Sequence, residues 1–292
     1  VCSSDLDLCS DLVIGQPRLS HTMPGSIEAR SGRTGAVLWH IDGDRPSFGV
    51  ALASMGDLDG DGKAEVVVGV PPMSLQEGGH AEIRSGNDGH LLRSLVCDRT
   101  GVWFGGAVAD AGDVTGDGIP DVLVGGHFGM APGVVTVFDG ATGKQHSSFT
   151  DESTGALFGQ CVLGAGDIDA DGHADLVVSA PGDAQSLSPG RVIALSGRTG
   201  KALYELRGER PHEGFGARLC RLPDWRRDHQ PALAVAAAHG GPLGNGYLRI
   251  FDLLSGAPLQ TFSSTGHVPK IGFAMVDLGD IDRDGLRELE IG

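Results

Sequence analysis

The sequence predicts an all-β fold built from repeated four-stranded antiparallel units. Three observations support this prediction: an acidic loop that recurs four times, a Phe-Gly pair at a fixed distance before each loop, and a glycine-containing turn that follows it. Composition agrees, because 48 of the 292 residues are glycine and only 5% are aromatic. Such a chain has many turns between short strands.

The acidic loops read GDLDGDGKAE at 56–65, GDVTGDGIPD at 112–121, GDIDADGHAD at 166–175 and GDIDRDGLRE at 279–288. Counting from the first Asp of each loop, an oxygen-bearing side chain stands at positions 1, 3, 5 and 9. A glycine at position 6 permits the positive φ of a tight turn. Ca²⁺ takes about six to eight oxygen ligands, and the carbonyl at position 7 can be one of them. The spacing therefore predicts about four calcium sites.

The predicted ligands, with the carbonyl ligand fourth in each set, are Asp57, Asp59, Asp61, Lys63 and Glu65; Asp113, Thr115, Asp117, Ile119 and Asp121; Asp167, Asp169, Asp171, His173 and Asp175; and Asp280, Asp282, Asp284, Leu286 and Glu288. Thr115 is the weakest of these ligands, because it offers a hydroxyl where the other loops offer a carboxylate.

An EF-hand loop opens in the same way but needs an acidic residue at position 12, followed by a helix. Position 12 here is Val68, Val124, Val178 or Ile291, each inside an apolar run. The runs are short and rich in β-branched residues, which indicates strands buried on both faces. The loops are therefore predicted to lead into strands, with the acid at position 9 closing each site.

Turn residues mark a hairpin in each repeat. The turns are SGRTG at 31–35, SGNDG at 85–89, DGATG at 139–143, SGRTG at 196–200 and a looser LLSGAP at 253–258. Gly, Asn, Asp and Thr between apolar runs favour hairpin turns, and the flanking segments, such as SIEAR before the first turn and AVLWHI after it, read as strands. Each unit of about 55 residues thus holds four short strands.

Four-stranded units repeated head to tail are typical of propeller blades, because one small sheet buries its faces only when neighbours stack against it. The Phe-Gly pairs at 48, 104, 158 and 215, and Ile-Gly at 271, each stand nine residues before position 1 of a loop. They define a single incomplete propeller over residues 7–292. Its parts are a partial blade at 7–47, blades at 48–103, 104–157, 158–214 and 215–270, and a partial blade at 271–292.

These motifs resemble the FG-GAP repeats of the integrin α-subunit β-propeller and their bacterial relatives. Phe-Gly opens each repeat, the DxDxDGxxD/E loop follows, and Gly-Val-Pro at 69–71 or Ser-Ala-Pro at 179–181 stands where the family has Gly-Ala-Pro. The resemblance implies a seven-bladed propeller, so about five blades would be present here and the parent protein would be longer.

The sequence departs from the family pattern in three places, one of which is its end at ELEIG, in mid-blade. The loop at 224–232 has Arg226, His229 and Ala232 in place of a ligand, the turn glycine and the closing acid, so we expect no calcium there and a salt bridge from Asp224 to Arg226 or Arg227 instead. At the N-terminus, residues 1–6 read VCSSDL, which matches an in-frame translation of a common sequencing adapter. We interpret them as an assembly artefact.

Charge and motifs exclude several functions. The net charge of −16 argues against a general binder of nucleic-acid phosphates, and 15 of the 38 acidic residues lie in the four loops. No run is long enough for a membrane span. Motifs for nucleophilic hydrolases, zinc proteases and phosphate-binding loops are absent. We therefore predict no catalytic residues, no organic cofactor and no enzymatic activity in this chain.

The two ends of each predicted blade have different character. The acidic loops and hairpin turns share one end and are nearly identical between repeats, whereas the connectors at the other end vary in length and charge. The family resemblance places ligands at the variable end. Its charged residues, and hence the candidate ligand-contacting residues, are Arg45, Arg99, Arg210, His212 and Lys270.

Three functions fit the sequence. The leading one is a non-catalytic, calcium-binding module of a secreted or cell-surface protein, which binds an extracellular protein or glycan, as in cell adhesion. The second is the propeller portion of a secreted enzyme, such as a polysaccharide lyase or an esterase. The third is a structural spacer. A catalytic domain elsewhere in the full-length protein would favour the second.

Overall fold

The computed structural model is all-β. It describes residues 10–18, 23–74, 76–128, 131–153, 155–182, 187–225, 229–241, 244–263, 272, 274–279, 281 and 288–292. Within these ranges the chain forms 21 strands in six antiparallel sheets and no helix. The predicted artefact at residues 1–6 and most of the acidic loop at 280–288 lie outside the described residues.

Four of the sheets have four strands each, in sequential order. They are β4 (Ala51–Ser54), β5 (Val66–Val70), β6 (Gly78–Arg84) and β7 (Leu91–Thr100); β8 (Ala107–Gly112), β9 (Asp121–Phe128), β10 (Ala131–Phe138) and β11 (Gln145–Asp151); β12 (Val162–Gly166), β13 (Asp175–Ala180), β14 (Arg191–Leu195) and β15 (Ala202–Arg207); and β16 (Phe215–Leu222), β17 (Ala232–Ala237), β18 (Tyr247–Asp252) and β19 (Pro258–Ser263).

Two smaller sheets flank them. The first contains β1 (Leu12–Gln16), β2 (Ser26–Arg30) and β3 (Val37–Asp42), and the last contains β20 (Met275–Gly279) and β21 (Glu288–Ile291). The first strands of successive sheets, β4, β8, β12, β16 and β20, contact one another in chain order. This arrangement of stacked four-stranded sheets confirms the predicted propeller-type fold class.

The second strand of each four-stranded sheet lies deepest in the protein. Every residue of β5, β13 and β17 is buried, as predicted for the apolar runs that follow the acidic loops. The fourth strands, by contrast, have several exposed residues, as in β15 and β19. The cores form between neighbouring sheets: Val67, Ile83 and Leu95 of one sheet pack with Val122 and Phe138 of the next.

The Phe-Gly pairs bring neighbouring sheets close together. Phe48, Phe104, Phe158 and Phe215 are at most 3% exposed. The glycine that follows each one has φ between +84° and +94°, a region that favours glycine. A Cβ on Gly69 would lie 2.1 Å from the carbonyl oxygen of Gly105 in the next sheet. Both the turn and the close approach between sheets therefore require glycine.

A hydrogen bond from the last strand of one sheet to the hairpin turn of the next recurs along the chain. Trp39 Nε1 donates to the Gly86 carbonyl at 2.9 Å, Arg93 Nε to the Ala141 carbonyl at 2.9 Å, and the Tyr204 hydroxyl to the Leu253 carbonyl at 2.6 Å. These three donors occupy the same repeat position. Ser147 holds the same repeat position in β11, and its buried Oγ has no hydrogen-bond partner.

Candidate metal centres

Three of the acidic loops are described. They connect the first two strands of three successive sheets: β4 to β5, β8 to β9 and β12 to β13. The turn glycine at position 6 has φ of +86° in two of the loops and +88° in the third, as predicted. Its N–H donates to the Asp at position 1 in each loop, with Gly62 to Asp57 at 2.9 Å, Gly118 to Asp113 at 2.8 Å and Gly172 to Asp167 at 2.9 Å.

Loop 57–65 brings four predicted carboxylate ligands together. Oxygen atoms of Asp57, Asp59, Asp61 and Glu65 lie within 4.8 Å of one another. The three aspartates are exposed, whereas Glu65 is fully buried beneath them. A group of four carboxylates could hold a metal ion, because hard divalent cations favour oxygen ligands.

Glu65 has the least satisfied carboxylate of the described loops. Its Oε2 accepts the Leu58 N–H, but its Oε1 is buried and has no hydrogen-bond partner. Burial raises the pKa of Glu65 from 4.5 to about 7. The hydrogen bond from Leu58 opposes this rise, and repulsion by Asp59, Asp57 and Asp61 adds to it. A buried carboxylate oxygen without a donor is costly, and a cation would relieve both the desolvation and the repulsion.

Loop 167–175 brings three of its carboxylates together. Oxygen atoms of Asp167, Asp169 and Asp175 lie within 4.8 Å of one another, and Asp175 is buried. Asp171, at position 5, lies outside this group. Its Oδ1 accepts the His173 N–H at 3.0 Å, as in an Asx turn. Burial raises the pKa of Asp175, although three backbone N–H groups oppose this rise.

Loop 113–121 has the weaker ligand set that its sequence predicts. Its three carboxylates, all within the described part of the chain, do not form a group as close as those of the other two loops. The hydroxyl oxygen of Thr115 at position 3 is buried and has no hydrogen-bond partner. Asp121 is fully buried, and burial raises its pKa. The unpartnered Thr115 oxygen is consistent with a ligand role at this position.

The closing acid also holds the hairpin turn of its own sheet. Asp121 Oδ1 accepts the Gly140 N–H at 3.0 Å, and Asp175 Oδ1 accepts the Gly197 N–H at 3.0 Å. Near the N-terminus, Asp11 accepts the Gly32 N–H at 3.1 Å in the same way. The first glycine of the turn is required here, because a Cβ on Gly197 would lie 1.9 Å from the Ala174 carbonyl oxygen.

This glycine was not singled out as part of the site from the sequence alone. The signal was nevertheless present, because Gly32, Gly86, Gly140 and Gly197 recur with the closing acids and Leu253 replaces the glycine where Ala232 replaces the acid. In that repeat the Leu253 N–H donates to the Pro231 carbonyl at 3.1 Å, and the Leu253 side chain is fully buried. An apolar side chain thus accompanies the loss of the carboxylate.

Loop 224–232 is organised around a histidine. His229 occupies the position of the turn glycine with φ of +59°, and its Nδ1 lies 3.2 Å from Asp224 Oδ2. The salt bridge predicted from Asp224 to Arg226 or Arg227 involves residues outside the described part of the chain. For the loop at 280–288, the described part includes Glu288, whose Oε2 accepts the Ile281 N–H at 2.7 Å.

Family models match the same segments that carry these loops. The FG-GAP repeat model matches residues 48–79 and 162–195, and the FG-GAP-like repeat model matches residues 113–178. The chain carries FG-GAP repeats. The resemblance predicted from the Phe-Gly pairs and the acidic loops is therefore confirmed.

Curated proteins with similar FG-GAP repeats include integrin α subunits. Integrin alpha-IIb of Homo sapiens is 31% identical over an alignment 316 residues long, gaps included, which covers 99% of this chain and 26% of that protein. Integrin alpha-V of Gallus gallus is 27% identical over 207 residues, which cover 65% of this chain and 20% of that protein. The FG-GAP chain thus spans about a fifth to a quarter of the length of these relatives.

The connectors at the opposite end of the FG-GAP repeats hold the predicted ligand-contacting residues. We call this end the connector face. It includes residues 43–50, 71–74, 98–106 and 208–214. Arg99, Arg210 and His212 are exposed on it. Arg45 is held in place, because its Nη1 donates to the Gly78 carbonyl at 2.9 Å and lies 4.0 Å from Glu77. Lys270 lies outside the described residues.

One aromatic residue of the connector face was not predicted. Trp103 is 41% exposed, and its ring meets the edge of His127 with the centroids 6.5 Å apart. Burial lowers the pKa of His127 to about 4, so the imidazole is neutral near pH 7. The sequence signal was the tryptophan directly before the Phe104-Gly105 pair.

Among the described residues no membrane-spanning helix is found.

Proposed function

We propose that this chain is a non-catalytic, calcium-binding β-propeller module that serves extracellular binding or cell adhesion through a protein or glycan ligand. The observation that carries the proposal is the acidic loop at 57–65. Four carboxylates converge there, and the buried Oε1 of Glu65 has no hydrogen-bond donor. Such a group is unfavourable without a cation.

Calcium fits the donor set of the loops. Every proposed ligand is an oxygen atom, with no cysteine sulfur or imidazole nitrogen, which favours Ca²⁺ or Mg²⁺ over transition metals. Asp57, Asp59, Asp61 and Glu65 would hold the ion in the first loop together with the Lys63 carbonyl, and equivalent residues would do so in the others. A bound Ca²⁺ supplies positive charge that offsets the repulsion between these carboxylates.

An extracellular location is supported by the type of site and by the relatives. Extracellular modules commonly have calcium affinities of about 0.1–1 mM, which suits short, exposed loops such as these. The similar curated proteins are integrin α subunits. We therefore place the protein outside the cell, either secreted or at the cell surface.

The connector face is the proposed ligand-binding end. Binding residues often lie on variable loops that a rigid scaffold positions. The connectors differ between repeats in length and charge, whereas the four acidic loops share one pattern. Exposed Arg99, Arg210 and His212 suit an acidic or polar partner, and Trp103 adds an aromatic surface. The observation that favours binding over a spacer role is the variation of these connectors between repeats, together with the exposed Trp103 among them.

The proposal is tested with arrays of extracellular proteins and glycans, which are probed with the chain in calcium and in a chelator. The calcium concentration is about 1 mM, the upper end of the affinity range of extracellular modules. Calcium-dependent binding to a defined partner is expected. A chain that binds calcium but no partner on either array would indicate a spacer. A catalytic domain in the full-length protein, together with turnover of a bound polysaccharide or ester, would indicate the enzyme alternative.

A further inference from the structure

Two neighbouring acidic loops are joined directly by hydrogen bonds. The backbone N–H of Ala174 donates to the carbonyl of Asp113 at 2.8 Å, and the Nδ1 of His173 lies 2.8 Å from the carbonyl oxygen of Val114. Because a carbonyl oxygen can only accept, Nδ1 must carry the proton of this bond. The residues at positions 7 and 8 of loop 167–175 thus donate hydrogen bonds to the residues at positions 1 and 2 of loop 113–121.

These contacts connect the proposed ligands of the two loops. Asp113 is the position-1 ligand of its loop, and the N–H of Val114 donates to the closing acid Asp121 at 2.8 Å. His173 is the residue whose own carbonyl is the position-7 ligand of the following loop. Its ring also covers loop 113–121, since a Cβ on Gly116 would lie 2.7 Å from the ring. A shift of His173 would therefore move both ligand sets.

The same link cannot form at the neighbouring junctions. At the positions equivalent to His173 and Ala174, loop 113–121 has Ile119 and Pro120, and proline has no N–H to donate to Asp57. Loop 224–232 has Pro231 at position 8, so it cannot make this bond to Asp167. Of the described loops, only 113–121 and 167–175 can be joined in this way, and loop 57–65 serves as an internal control.

We propose that His173 and Ala174 are positioning residues for the calcium site of the preceding repeat, so that loops 113–121 and 167–175 bind Ca²⁺ as a coupled pair and loop 57–65 binds it independently of them. The inference rests on the proposed calcium function. Its physical basis is that loop 113–121 has the weaker ligand set, with Thr115 at position 3. Order imposed from the next repeat lowers the entropy that this loop loses when it binds the ion.

The experiment is a calcium titration of the ¹⁵N-labelled full chain, followed by NMR. The reporters are the amides of Gly62, Gly118 and Gly172, which make the same hydrogen bond to the position-1 Asp in their three loops. Asp167→Ala removes calcium from loop 167–175. It is expected to raise the calcium midpoint at Gly118 by about fivefold or more, the usual lower range of coupling between sites, and to leave the Gly62 midpoint unchanged.

A second variant separates positioning from ligand loss. His173→Ile with Ala174→Pro reproduces the pair found at 119 and 120 and keeps every proposed ligand of both loops. This double variant is expected to weaken calcium binding at Gly118, again by about fivefold, without a change at Gly62. The single variant His173→Gln keeps an N–H donor at this position, so its calcium affinity at Gly118 is expected to lie between those of the double variant and the wild type. A general loss of stability would instead shift Gly62 as well.

The outcomes distinguish this inference from the proposed function. If calcium moves none of the three amides, the proposed function fails and the coupling fails with it. If all three respond to calcium but Gly118 keeps its midpoint in both variants, the loops bind independently and only the coupling is wrong. If Gly62 shifts as much as Gly118, the two residues stabilise the fold in general and have no positioning role.

Discussion

At the scale of single residues, Glu65 explains why an acidic loop without a cation is unfavourable. Its carboxylate is fully buried, faces three aspartates and leaves one oxygen without a donor. Both carboxylate oxygens of the equivalent Asp121 and Asp175 accept hydrogen bonds, because the hairpin glycine donates to one of them. The loops therefore share a sequence pattern but differ in how strongly each depends on a cation.

Replacing Glu65 by Gln removes the buried charge and keeps the shape of the side chain. Without calcium at pH 8, Glu65→Gln is expected to raise the melting temperature, because no ionised group is then desolvated. With calcium, the affinity of loop 57–65 is expected to fall by at least about tenfold, which calorimetric titration would measure. The control is Glu152→Gln, an exposed acid outside the loops; an equal effect of both variants would contradict the role given to Glu65.

The raised pKa of Glu65 predicts a pH dependence of stability in the absence of calcium. The folded protein holds this proton more tightly than the unfolded chain, because the pKa rises from 4.5 to about 7 on folding. Its contribution therefore stabilises the fold at low pH and is lost as the pH rises from 4.5 to about 7. The measurement is the free energy of unfolding in chelator at pH 5 and pH 8, for the wild type and for Glu65→Gln.

Because other groups titrate in the same range, the difference between these two proteins carries the prediction. The wild type is expected to lose more stability than Glu65→Gln between pH 5 and pH 8. Identical pH profiles would show that Glu65 has an ordinary pKa in the folded protein.

At the scale of strands and loops, the hydrogen bond from the fourth strand to the next hairpin gives a matched pair of variants. Tyr204→Phe deletes a hydroxyl that donates to the Leu253 carbonyl, and is expected to cost about 1 kcal/mol of unfolding free energy. Ser147→Ala at the equivalent position deletes a buried hydroxyl without a partner, and is expected to cost nothing or to stabilise. Denaturant unfolding would measure both, and an equal loss in the two variants would show that the hydrogen bond is not the cause.

Most of the strands and turns could be predicted from local sequence. The β-branched runs after the acidic loops form the buried second strands, and SIEAR at 26–30 forms β2 with the predicted bounds. These elements could be predicted because alternation, turn residues and repeat spacing are local signals. The hydrogen bonds between sheets were not, since Trp39, Arg93 and Tyr204 differ in chemistry and share only a repeat position.

The acidic loops were predictable in part for the same reason. Position and residue type indicate which oxygens can converge, and three of the four ligand sets lie in the described residues. The pairing of His173 with Val114, by contrast, depends on how close two sheets approach. That distance is set by packing of the whole repeat array, which a single repeat does not encode.

At the scale of the whole molecule, the two ends of the sheets separate scaffold from binding surface. Acidic loops and hairpin turns are joined to each other across neighbouring sheets by backbone and side-chain hydrogen bonds. Most candidate cations of the connector face are exposed, apart from Arg45, which is bound to the Gly78 carbonyl. We expect specificity to come from the connectors and stability from the opposite end.

Charge reversal tests this separation. Arg99→Glu combined with Arg210→Glu is expected to weaken partner binding and to change stability by less than about 0.5 kcal/mol per site, as is usual for exposed residues. The matched control is Lys144→Glu with Lys201→Glu, two exposed lysines beside the hairpin turns. If the lysine variant lost partner binding and the arginine variant kept it, the ligand would bind at the hairpin-turn end and not at the connector face.

The most direct test of the account is the number of calcium ions bound per chain, measured by isothermal titration calorimetry on the wild type, Asp61→Ala and Asp228→Ala. About four sites are predicted from the acidic loops of the sequence, one fewer in Asp61→Ala, and no change in Asp228→Ala, because loop 224–232 lacks the closing acid. A wild type that binds no calcium, or equal losses in the two variants, would contradict the claim that these loops are calcium sites.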